Sequence, residues 1–173
     1  ESAVNRSAAF PAEPELILKS LRLTPIYAGF LLLFWSVVAA AEEPPLGIWL
    51  VEDEDGAVEI LPCPDSGLLC GRLVWLKPDG GPPPLDQKNP NPAKRGEPLC
   101  GLMLMTGFRK DETGAWTDGR FYNPDDGGRY PAVIRREGPD QLRLRGYLLI
   151  PLLGQTQTWR RAPPDLGRCA GLN

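Results

Sequence analysis

From residue 46 onward, apolar and polar positions alternate in short runs bounded by Gly, Pro, Asp and Asn, and no stretch repeats apolar residues at the three-to-four spacing of an amphipathic helix. The pattern predicts eight strands, at 46–51, 57–61, 70–76, 102–107, 115–122, 129–136, 141–150 and 155–161. Asp-Glu-Thr-Gly, Asn-Pro-Asp-Asp-Gly-Gly and Glu-Gly-Pro-Asp separate the later strands, and each is strong turn chemistry. The one long connection, 77–98, holds seven prolines and is expected to cross the outside or mouth of the structure as an ordered loop.

Eight sequential strands joined by hairpins predict an all-β domain that closes as an antiparallel up-and-down barrel; a β-sandwich is the alternative. Gly47-Ile48-Trp49 opens the first strand and Trp159-Arg160-Arg161 closes the last, which favours the barrel. These two ends resemble the lipocalin pattern, in which a Gly-x-Trp tryptophan near the closed end packs under an arginine from the final strand, and the resemblance implies the same closure here. Neighbours on a strand face opposite sides, so if Trp159 is a core residue, Arg161 turns inward beside it and Arg160 does not.

An apolar run from Ile26 to Ala39 follows Lys19 and Arg22 and ends in Ala39-Ala40-Ala41, the layout of a signal peptide cleaved after Ala41. Residues 1–41 are therefore expected to be removed, with 1–18 read as an over-extended gene start, leaving 42–173 as one domain, periplasmic or secreted. An uncleaved anchor is the alternative, but the run is shorter than the roughly 20 residues that span a bilayer. Cys63, Cys70, Cys100 and Cys169 all lie in the mature part, an even number consistent with disulfides. Cys63 and Cys70 flank turn residues and are expected to staple a hairpin, which leaves Cys100 with Cys169.

The absence of histidine removes Ser-His-Asp and Cys-His catalysis and the common zinc sets. Neither a metal nor a cofactor is assigned. The net charge of −3 mixes both signs along the chain, so nucleic acid is not an expected partner. Glu52-Asp-Glu-Asp55 lacks the spacing of a calcium loop and reads as a charged hairpin tip.

A longer string carries a family likeness: Gly47-Ile-Trp49, Val58-Glu-Ile60, Cys70-Gly-Arg-Leu-Val-Trp75-Leu, Asp86-Gln-Lys-Asn89-Pro90-Asn-Pro92, Gly107-Phe108, Gly119-Arg120-Phe-Tyr122-Asn-Pro124, Arg145-Gly146-Tyr147 and Gln157-Thr-Trp159. In order across the mature domain, these resemble the DUF2147 family of exported bacterial proteins. The resemblance implies a small lipocalin-like barrel with no settled activity. Cys100 and Cys169 stand outside the pattern.

Candidate site residues follow from alternation. Arg120 with Tyr122, Arg145 with Tyr147, and Gln155 with Gln157 each share a face. Pointing inward, they would meet an anionic or hydroxylated head group above an apolar floor of Trp49 and Trp75; pointing outward, they are a wet surface. Asp86 and Asn89 either pin the long loop through bonds to nearby backbone or, with the loop over the mouth, turn Asp86 toward a ligand. The leading expectation is a protein that binds a small amphipathic or apolar ligand. The rivals are an envelope interaction module with a solid core and, below it, a carboxylate-based enzyme.

Overall fold

A computed structural model describes residues 43–64 and 66–172; the expected leader and its cleavage point lie outside the described residues. Eight strands run in chain order: β1 (Gly47–Leu50), β2 (Gly56–Pro62), β3 (Leu69–Leu76), β4 (Met103–Lys110), β5 (Trp116–Asn123), β6 (Gly128–Arg136), β7 (Gln141–Tyr147) and β8 (Gly154–Arg161). Each pairs antiparallel with its sequence neighbour, and β8 returns to β1, so the sheet is a closed up-and-down barrel. No sandwich forms. All links but the long β3–β4 loop are short turns, so the strands pair in order and only the first and last are left to meet.

The interior is filled by the alternate side chains the sequence pattern marks, among them Val58, Ile60, Leu73, Met105, Phe108, Ile134, Leu142 and Trp159. At one end the barrel is shut. Trp49 is fully buried there and donates its indole N–H to the Pro45 carbonyl (2.9 Å). Arg161 lies over the Trp49 ring and donates to the carbonyls of Leu46 (2.8 Å) and Pro139 (3.2 Å). Gly47 sits beneath this arginine with φ +108°, where a Cβ would stand 2.6 Å from the guanidinium; both facts require glycine. Arg160 points to the other side, toward Glu54.

Both disulfides are formed, Cys63–Cys70 across the β2–β3 hairpin and Cys100–Cys169. The second ties the C-terminal segment to the start of β4. That segment crosses the outer face of β2 and β3: the Cys169 amide donates to the Val74 carbonyl (2.7 Å), and Arg168 pairs with Glu59, which also receives Arg72. Hydrogen bonds from Arg168 chiefly, then Arg72, hold the Glu59 carboxyl below its ordinary value despite opposing desolvation.

The seventh strand is shorter than its apolar run predicts. It ends at Tyr147, and residues 148–153 form the β7–β8 hairpin tip, where Pro151 cannot donate to a ladder.

Candidate functional site: an open cavity at the barrel mouth

At the end opposite Trp49, the β1–β2, β5–β6 and β7–β8 hairpins and the long β3–β4 loop surround a cavity of about 890 Å³, open to solvent. Its walls are apolar: Leu73 and Leu76 from β3, Leu104 from β4, Phe121 from β5 and Leu144 from β7. Gln155 and Gln157 of β8 add amides, and Gln157 accepts the indole N–H of Trp159 (2.9 Å). The rim is acidic, with Asp53 and Asp55 on one hairpin and Asp125 and Asp126 on another. Among the described residues, no lysine or arginine lines it. The Gly128 backbone N–H, then the Tyr130 hydroxyl (2.8 Å) and the Asn123 amide, keep the Asp126 carboxyl below its ordinary value, so it stays ionised at neutral pH.

A second polar cluster lies outside the cavity, beneath the long loop. Asp86 is fully buried, and its carboxylate accepts the Tyr122 hydroxyl (2.6 Å) and the Asn89 amide (2.6 Å). Asn89 in turn accepts the Asn91 backbone N–H (2.9 Å) and, through its own carbonyl, receives Arg95 (2.9 Å). Asn91 caps the short 3₁₀ turn Pro92–Lys94. Burial, then the hydrogen bond to Asp86 and that carboxylate's charge, push the Tyr122 phenol up to about 12. Arg129 stacks on the ring 5.1 Å from its centre. The loop backbone at Lys88 presses against Gly127, whose φ of +73° and lack of a side chain permit the approach.

The expected site residues thus divide. Gln157 and Tyr147 line the cavity. Trp49 does not; it belongs to the closed end. Trp75 is displaced because the register between β2 and β3 shifts at Ala57/Val58: Val58 pairs with Leu73 but Ala57 with Trp75, so Leu73 and Leu76 take the inner positions and Trp75 is left outside the cavity. Phe121 faces the cavity, which turns its neighbours Arg120 and Tyr122 to the outer side. Arg120 is exposed there, and Tyr122 is covered by the loop. Arg145 also lies outside and donates to the carbonyls of Pro151 (2.6 Å) and Leu152 (3.1 Å) and to Thr156 (2.6 Å). Asp86 and Asn89 fasten the loop and face Tyr122, not the cavity. Of the two directions the stripes allow, Arg120 and Arg145 take the outer one, and the charged groups at the cavity are carboxylates supplied by hairpin tips.

A closed eight-stranded antiparallel barrel, capped at one end by a tryptophan under a last-strand arginine and open at the other, is a lipocalin-like fold. Among solved structures, it is similar to protein HP1028 from the human pathogen Helicobacter pylori, described as belonging to the lipocalin family: TM-score 0.62 and 21% identity over 72% of this chain and 86% of that one. The chain belongs to the DUF2147 family, uncharacterised proteins conserved in bacteria, whose profile matches residues 47–161. A comparison with curated proteins gives no match.

Proposed function

We propose that this protein binds a small amphipathic ligand, with the apolar part inside the barrel and a neutral or cationic head at the mouth, in a compartment outside the cytoplasm. The observation that carries the reading is the cavity itself. Its size falls in the range of small-molecule sites, its depth is aliphatic and aromatic, and among the described residues its charged lining groups are all carboxylates. A rim of that sign repels an anionic head and attracts a cationic one. The two disulfides support an oxidising location.

The test uses the neutral fluorophore N-phenyl-1-naphthylamine, displaced by alkyl chains of equal length. Dodecyltrimethylammonium is expected to displace it at a lower concentration than dodecyl sulfate. Gly146 lines the cavity, and a Cβ there meets nothing nearer than 4.0 Å, so the site has room for a side chain and Gly146→Leu is expected to fill part of the cavity. That variant should fold and lose the fluorophore. Failure of the wild type to take up any of these probes, or a preference for the sulfate, would overturn the reading.

A further inference from the structure

The β7–β8 hairpin tip, Leu148-Leu-Ile-Pro-Leu-Leu153, exposes more large apolar surface than any other described segment: Leu149 is 84% exposed, Leu152 81% and Leu148 67%, with Leu153 and Ile150 at half or more. No charged residue occurs between Arg145 and Arg160. Single exposed leucines are ordinary on a protein surface, but five in one hairpin tip are not.

The carbonyls in the second half of this tip are also provided for internally. The carbonyls of Ile150 and Leu153 accept the amides of Leu153 (3.0 Å) and Leu148 (3.4 Å), and those of Pro151 and Leu152 accept the Arg145 guanidinium from below. Pro151 has no N–H to satisfy. Four successive carbonyls therefore have partners without water. Exposed loops rarely need that, whereas a segment entering hydrocarbon does, because nothing there can hydrogen-bond an orphan backbone group. Tyr147 flanks the tip, the residue type that sits well at a lipid–water boundary.

We propose that this hairpin tip docks the protein on a lipid surface, dipping Leu149, Ile150 and Leu152 below the headgroups and setting the cavity mouth against the membrane. Leu148, Leu152 and Leu153 also line the cavity, so an apolar path runs from the inserted tip to the barrel interior. A second copy of the chain is a poorer occupant, because the closed barrel leaves no strand edge to extend. The carboxylates on the neighbouring hairpin tips at the same end give the docking a sign: neutral phosphatidylcholine is preferred to anionic phosphatidylglycerol. Docking does not depend on what the cavity holds, and the two readings fail separately.

All four cysteines are in disulfides, so Leu149→Cys in the full chain provides a single thiol for an environment-sensitive nitrobenzoxadiazole dye. Because the run Ile26–Ala39 can itself partition into lipid, the readout is taken at the tip and not from co-sedimentation. With phosphatidylcholine vesicles, the dye should shift to the blue and be quenched by nitroxides on the acyl chains, while the same dye at Glu112→Cys, on the opposite end, stays water-like. Adding Ile150→Asp, at a tip residue that does not line the cavity, should weaken the tip signal by tenfold or more, the scale set by loss of one buried aliphatic side chain. Phosphatidylglycerol at low salt should weaken it too. A water-like tip on phosphatidylcholine vesicles would overturn the proposal, as would a blue shift that grows with protein concentration in the absence of lipid, which would assign the tip to self-association.

Discussion

The Arg161 guanidinium carbon stands 4.0 Å from the centre of the Trp49 ring, and the two residues are also register partners across the seam that closes the barrel. The side chain of Arg161 is one-third exposed; that of Arg160, next along the strand, is three-quarters exposed. Replacing Arg161 by Ala removes a cation over an aromatic face and donors to two carbonyls. We expect a loss of about 2 kcal/mol. Arg160→Ala should change the urea midpoint by no more than an ordinary surface substitution, and equal small shifts at both positions would contradict this account of closure.

Tyr122 gives a pH signature. Its phenol is raised to about 12 in the folded protein against about 10 when exposed. Between those values the folded chain binds more protons than the unfolded one, so the stability this group contributes is intact below pH 10 and is lost as pH rises toward 12. The difference in tyrosinate absorbance between wild type and Tyr122→Phe should rise near pH 12. A difference centred near 10 would mean that the phenol is not held by burial and Asp86.

Asn89 tests the loop clamp. Asn89→Ala leaves one oxygen of the buried Asp86 carboxylate without its amide donor, at a cost of about 1–3 kcal/mol. Brief trypsin treatment should then cut at Lys88, Lys94 or Arg95 faster than in wild type. Binding of the cavity probe should change little, since neither Asn89 nor Asp86 lines the cavity.

The two disulfides should differ in weight. Cys100–Cys169 spans 69 residues and Cys63–Cys70 spans 7, so in the chain-entropy model the first contributes about 4 kcal/mol and the second about 2.5. Paired Ser replacements should destabilise in that order in thermal melts. The reverse order would show that chain entropy does not govern these links.

All eight strands and the closed barrel were legible because half-buried strands write their alternation into the sequence, and because Trp159, by its size, fixed which way Arg161 faces. Cavity lining was less legible. An alternation count survives only while the register does, and the shift at Ala57/Val58 moved Trp75 out and Leu76 in. The Arg120–Tyr122 and Arg145–Tyr147 stripes are ambiguous by nature, since a polar face can border water or a ligand. Phe121 between the first pair and Leu144 before the second were the apolar signals that could have settled the direction. Leu148–Ile150 read as strand because periodicity measures apolarity and not whether anything covers it; the turn marked by Pro151 and Gly154 begins three residues earlier, after Tyr147. The four rim carboxylates sit on hairpin tips, whose convergence no local pattern encodes.

The seam between β1 and β8 has two register pairs, where β7 and β8 share seven. Amide protons along it should therefore exchange with solvent before those of the other ladders. Were it to part, the cylinder would become a curled ribbon with two bare margins, each an adhesive template for another chain. The guanidinium of Arg161 is thus a guard against aggregation as well as a cap: by fastening the narrowest join in the wall, it withholds those margins from neighbouring molecules.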